Sequence, residues 1–153
     1  ILDDAERRII RQDCEALSVA YARAIDFRDY DEIANLFVEE GILDAGVRLE
    51  GKTAITASLK RRPDELRSRH VLTNIFTNVI NRDEANGISY LTLYRHVGPE
   101  STRSEPIKFD GPFGIGHYQD LFVRVGDGWR FKSRVLHMAF QRGDAKAVSG
   151  KDN

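Results

Sequence analysis

The chain predicts one α+β domain, with helices first and a run of long antiparallel strands afterwards. Two observations carry this. The hydrophobic period is helical through roughly the first sixty residues and alternates from residue 69 onwards. No helical segment separates the long strands, which excludes a βαβ arrangement. The length of 153 residues suits one domain, and 41 % hydrophobic residues suffice for one contiguous core. The expected division is a domain over 1–142 and a small, polar, frayed tail over 143–153.

Each element follows from local chemistry. Residues 3–26 read as a helix, because Ile10, Cys14, Leu17, Tyr21 and Ala24 recur at steps of three and four. Asp29-Tyr30-Asp31-Glu32 has the form of a capping box and opens a short second helix, buried through Ile33, Leu36 and Phe37. Gly41 suits its left-handed C-terminal cap. Two short strands are expected near 42–44 and 47–49. Thr53 opens a third helix with Ile55 and Leu59 inward, and Pro63 blocks its continuation. Long strands are expected at 69–80, 87–97, 112–125 and 129–141. A polar turn ending Asn86-Gly87 joins the first two, and Gly126-Asp127-Gly128 joins the last two. Segment 98–111, with two prolines and mixed charge, reads as a loop at a pocket mouth. A twisted sheet of this size curls, and helices across its concave face leave a cone with one open end.

Composition narrows the function. With 23 basic and 24 acidic residues the net charge is -1, which argues against a dedicated nucleic-acid or membrane-surface binder. No apolar run reaches the length of a membrane span. The one cysteine, Cys14, forms no internal disulfide and reads as a buried, inert thiol, so a reduced cytoplasmic setting is the default. The acidic start Ile1-Leu2-Asp3-Asp4 lacks the form of a signal peptide, and the absence of an initial Met leaves room for upstream residues. No acidic residue stands at ligand spacing to His96, His117 or His137, so no metal site is expected.

Polar residues on apolar faces are the informative exceptions. One face of the strand from Arg69 carries His70, Leu72, Asn74 and Phe76. One face of the last strand carries Arg134, Leu136, Met138 and Phe140. Tyr118, Asp120 and Phe122 share a face on the next-to-last strand, and Tyr90, Thr92 and Tyr94 share one on the second. Asp26 closes the first helix, where the helix dipole disfavours a carboxylate. A histidine is a suitable compensating partner, although spacing alone does not bring Asp26 to His70. Arg134 could equally pair with Asp120 on the neighbouring strand as a structural ion pair.

The runs Tyr21-Ala22-Arg23-Ala24-Ile25-Asp26, Arg69-His70-Val71-Leu72-Thr73-Asn74, Gly116-His117-Tyr118-Gln119-Asp120 and Gly128-Trp129-Arg130-Phe131-Lys132-Ser133-Arg134 resemble the SnoaL-like branch of the NTF2-like superfamily. The resemblance covers nearly the whole chain. It is nearest to the group holding scytalone dehydratase, the hexachlorocyclohexane dehydrochlorinase and bile acid 7α-dehydratase. It implies a cone-shaped α+β barrel and a catalytic dyad of Asp26 and His70, with Tyr21 and Arg134 contributing. Three departures stand against assignment to one enzyme. The dehydrochlorinase has a lysine in place of Tyr21, the bile acid enzyme has an extra acid where this chain reads Leu93-Tyr94, and Ile25 stands where scytalone dehydratase has one of its binding tyrosines.

The chemistry so implied is a lyase or dehydratase reaction on a hydrophobic cyclic substrate, aromatic or steroid-like, without metal or cofactor. His70 would be general base, Asp26 would orient it, and Tyr21 and Arg134 would polarise a carbonyl or hydroxyl. Leu72, Phe76, Tyr94, Tyr118, Asp120, Met138 and Phe140 are the expected substrate contacts. The alternatives are a non-catalytic binding or accessory member, and a cyclase or ketosteroid-isomerase-like enzyme with Asp120 as base. The only partners expected are a small hydrophobic molecule and further copies of the chain, as a dimer or trimer, covering an outer sheet face that exposes Trp129 and Phe131.

Overall fold

The computed structural model describes residues 1–143; the tail expected beyond Gly143 lies outside the described residues. The chain runs α1 (Asp4–Asp26), α2 (Tyr30–Asn35), β1 (Phe37–Asp44), β2 (Arg48–Glu50), α3 (Lys52–Lys60), β3 (Leu66–Val79), β4 (Glu84–Val97), a 3₁₀ turn (Pro99–Thr102), β5 (Gly114–Val125) and β6 (Gly128–Gln141). Six strands form one sheet in the order β2-β1-β6-β5-β4-β3. Every pairing is antiparallel except β1 with β6. The helices pack on this curved sheet, α1 lying across β3 and β6. No described helix is long and apolar enough to cross a membrane.

The apolar stripe of α1 is the one its spacing predicts: Ile10, Cys14, Leu17, Tyr21 and Ala24 are all buried. Burial pushes the Cys14 thiol up to about 12, so it stays protonated at neutral pH. The true capping box sits at the start of this helix. Asp3 accepts from the Glu6 N–H, and Glu6 reaches back to the Asp3 N–H. Asp29 does precede α2, but its side chain makes no capping bond.

Three boundaries differ from expectation. The second helix stops at Asn35, and Phe37 already belongs to β1. Gly41 is a strand residue, not a helix cap: a Cβ there would lie 2.9 Å from the Phe37 Cβ. Asn86 and Gly87 are likewise inside β4, opposite Asn78 and Thr77. A Cβ on Gly87 would stand 2.9 Å from the Phe76 carbonyl, so the glycine serves close strand contact and the turn falls earlier.

Irregularities in β3 and β6 reverse the strand faces. In β3 the register shifts between Thr73 and Phe76, and Asn74 adopts φ 50°. The more buried positions are therefore Ser68, His70 and Leu72 before the bulge and Ile75, Thr77 and Val79 after it. Phe76 is thrown to the other face and is 66 % exposed. In β6, Phe131 pairs with Phe122 but Ser133 with Leu121, leaving Lys132 as the extra residue. Trp129 and Phe131 consequently join Arg134 and Leu136 on the inner side. They are core residues, 2 % and 0 % exposed, and not the outer patch expected from strict alternation.

Candidate active site

Asp26 ends α1 directly beside the first residues of β3. Its Oδ1 lies 2.6 Å from Nδ1 of His70 and accepts from the Ser68 hydroxyl at 2.9 Å. Its Oδ2 accepts the His70 backbone N–H at 2.8 Å. Both side chains are almost wholly shielded from solvent, His70 at 5 % and Asp26 at 7 %. Three donors from Ser68 and His70, two residues apart on one face of β3, thus answer the carboxylate that the helix dipole opposes.

The electrostatics follow from the geometry. Burial raises the Asp26 carboxyl, but the hydrogen bond and charge of His70 outweigh it, with help from Ser68, and the group lies below its ordinary value. Burial holds His70 below the usual 6.5, against the pull of Asp26. At neutral pH the pair is a carboxylate and a neutral imidazole. Because the carboxylate can only accept, Nδ1 carries the proton and the Nε2 lone pair is left available.

His70 lines a cavity with Tyr21, Tyr118, Arg62, Arg95 and apolar side chains from α1, β1, β2, α3, β4 and β6, among them Ile25, Leu43, Leu49 and Leu93. The cavity measures about 50 Å³, space for a few waters. The turn residues Ala45 and Val47 and the α3 residues Ser58 and Leu59 complete its wall. The loop expected at its mouth does not reach it; residues 107–111 line a separate cleft.

Arg134 is brought to Asp120, not to the cavity wall. Its Nε donates to Asp120 Oδ1 at 2.9 Å, and one terminal nitrogen donates to Oδ2 at 3.2 Å and to the Ser18 hydroxyl at 3.1 Å. The pair is sealed, with side chains 0 % and 2 % exposed. The guanidinium carbon lies 3.8 Å from the Tyr118 ring centre, 4.5 Å from that of Tyr21 and 4.6 Å from that of Phe131. Burial pushes the Asp120 carboxyl up while Arg134 pulls it down. Arg134 therefore stands behind the two tyrosines whose rings meet the cavity. Burial raises both phenols, and Arg134 opposes that rise.

Several expected wall residues fall elsewhere. Phe76 is displaced by the β3 bulge. Tyr94 occupies the face opposite the buried Ser89, Leu91 and Leu93, packs edge-on against Phe109 and lines the separate cleft. Phe140 is turned outward by a further irregularity in β6, where Ala139 is the extra residue opposite Ile115 and Gly116, and is 71 % exposed. Leu72, Met138 and Asp120 do not line the cavity, although Leu72 packs against the core. Ser68, Arg62 and Arg95 are the polar groups that sequence reasoning missed. Ser68 shares His70's face two residues earlier, and Arg95 shares that of Leu93, so alternation carried a signal for both. Arg62, just past α3, carried none. Among the other histidines, His96 does have an acidic partner, contrary to expectation, pairing with exposed Glu100 four residues on at 3.1 Å, and His117 stacks on His137. No group of three His, Cys, Asp or Glu side chains suited to a metal occurs among the described residues.

Comparison with known proteins agrees with this architecture. A candidate scytalone dehydratase from Novosphingobium aromaticivorans superposes with a TM-score of 0.78 at 23 % identity, covering 95 % of each chain. LinA superposes with a TM-score of 0.72 at 18 % identity, over 95 % of this chain and 99 % of LinA. ActVI-ORFA from Streptomyces coelicolor gives 0.69 at 16 % identity, over 85 % and 97 %. These likenesses establish the fold alone. No curated protein matches the chain. The profile of the SnoaL-like domain matches residues 7–135, and the chain belongs to that family.

Proposed function

We propose that the protein is a lyase of the dehydratase type that removes a proton from carbon with its own side chains, acting on a hydrophobic cyclic substrate. One observation carries the reading: a neutral imidazole, oriented at 2.6 Å by a buried carboxylate, faces a mostly apolar cavity. His70 Nε2 takes the proton, and the C–H electron pair becomes an enolate or a new double bond. Asp26 stabilises the imidazolium that forms. Tyr21 and Tyr118, with Arg62 and Arg95, supply donors and positive charge for the developing oxyanion. Loss of hydroxide as water, with a proton returned by the imidazolium or a phenol, completes a β-elimination. Arg134 acts from behind, as a positioning residue for the two tyrosine rings.

This assignment disfavours Asp120 as base, since its oxygens are held by Arg134 and it does not line the cavity. It also sets a mechanical requirement. A cavity of about 50 Å³ is well under the 150 Å³ or so that holds benzene, so a ring substrate enters only if α3 and the β1–β2 turn move outward.

The test is a thermal-shift screen of hydroxylated steroids and aromatics, followed by a dehydration assay on each hit. His70→Ala and Asp26→Asn are each expected to cut turnover by about 10²-fold or more while keeping the circular dichroism of the parent. Full activity in either variant ends the proposal.

Assembly into a homo-oligomer is part of the same reading. The outer sheet face exposes Val71, Phe76, Ile88, Tyr90, Leu121 and Phe140, which suits cover by a second copy. Light scattering showing only monomer at micromolar concentration would remove that part.

A further inference from the structure

A second cleft, of about 350 Å³, lies over the ends of β3 and β4 and is walled on its far side by residues 107–111. We infer that it binds an anionic ligand whose acidic group is attached to a flat apolar ring, an aromatic carboxylate being the simplest form. The inference is independent of the lyase reading.

The charge is one-sided. Arg67, Arg69, Arg95, Lys108 and Arg142 line the cleft, and Asp110 is the one carboxylate among its lining residues. Strand pairing concentrates these cations, since Ser68 faces Arg95, Arg67 faces His96 and Arg69 faces Tyr94. In a chain of net charge -1, such a concentration is local and not a reflection of overall composition.

The cleft is also held in shape. The Arg67 guanidinium donates to the backbone carbonyls of Glu100, Ser101, Arg103 and Glu105, which fastens the preceding loop to β3. Arg69 donates to the Ser68 carbonyl at 2.6 Å and stacks on Phe27. Carbonyl acceptors and a ring face order these guanidinium groups and leave their positive charge in place. Beside them, Tyr94 and Phe109 meet edge to face at 5.7 Å, and Phe109 is 69 % exposed. An exposed phenylalanine next to ordered cations recognises both halves of an aromatic acid: its ring by apolar contact, its carboxylate by charge-assisted hydrogen bonds. Arg95 lines this cleft and the dyad cavity alike, so the two are neighbours.

The experiment is calorimetric titration of the full chain with 2-naphthoate, with uncharged 2-naphthylmethanol and with inorganic phosphate. Naphthoate should bind more tightly than the other two. Arg69 and Lys108 are exposed, so Arg69→Glu and Lys108→Glu should melt with the parent, and Lys108→Met provides a milder variant. Each charge reversal should weaken naphthoate roughly tenfold, about 1.4 kcal/mol. The His70→Ala variant should bind naphthoate as the parent does, whether or not it retains any turnover. Unchanged affinity in both reversals, equal binding of the alcohol, phosphate as tight as naphthoate, or loss of binding in His70→Ala would each overturn the inference.

Discussion

Among the described residues, two buried acid–base pairs are built from similar parts and suited to different uses. Asp26 meets His70 across 44 residues of sequence, at the wall of a cavity. Asp120 meets Arg134 across a strand pair, sealed behind Tyr21 and Tyr118. The first pair contains an imidazole with a free nitrogen and an ordinary titration range near neutrality. The second contains a guanidinium that never deprotonates, held by bidentate contact and surrounded by rings. Burial alone does not separate them, because both are nearly dry. Access to the cavity and the ability to exchange a proton do. The first pair is suited to chemistry and the second to fixing the wall against which chemistry would occur.

Four tests would break or sharpen that contrast. The largest effect is expected from His70→Ala, with a fall in kcat/KM of about 10²–10⁴, the range of general acid–base catalysis. Loss of a hydrogen bond to the buried Asp26 carboxylate should also cost about 1–3 kcal/mol by urea denaturation. A loss of stability with turnover unchanged would make the pair structural. Next, Arg134→Met strands a buried carboxylate and should cost about 3–5 kcal/mol by urea denaturation. Cavity chemistry would then suffer through displaced tyrosines, read as a fall in activity that low temperature partly restores. A variant as stable as the parent would contradict the role given to Arg134.

The third test is pH. Folding depresses His70 below its ordinary 6.5, so the unfolded chain takes up a proton that the native site resists. Stability should therefore fall as pH drops from about 6.5 towards the folded value. Asp26, depressed as well, adds a further loss as pH falls through its own lower range. Activity should show an acidic limb centred below 6.5, and that limb should vanish with His70. A limb above 6.5 would assign the base to another group. The smallest effect belongs to Ser68→Ala, which removes one hydrogen bond to the Asp26 carboxylate. About 1–3 kcal/mol of stability is expected to go, together with an upward shift of the Asp26 titration measured by NMR.

Particular residues show what was legible in the chain. The α1 stripe from Ile10 to Ala24 was plain, because one helical face meets one core. The tight turn at Gly126-Asp127 and the inner triplet Tyr118, Asp120 and Phe122 were plain as well, since β5 alternates without interruption through that stretch. Phe76, Trp129 and Phe131 were misread for one shared reason: a bulge inserts one residue and reverses every face beyond it. Tyr94 was misread because apolar and aromatic residues occupy both faces of β4, so alternation did not single out the inner one.

The order of helices and strands, the fold class and the identity of an acid and an imidazole worth watching were determined by the sequence alone. They rest on periodicity and on local chemistry, which act over a few residues. The tertiary structure decided which acid meets which cation, that Arg62 and Arg95 reach the cavity, and that Arg134 stands behind it. Those outcomes depend on strand register and on packing between segments far apart in the chain. A one-residue shift in either reverses which side chains face the core, and no local pattern records it.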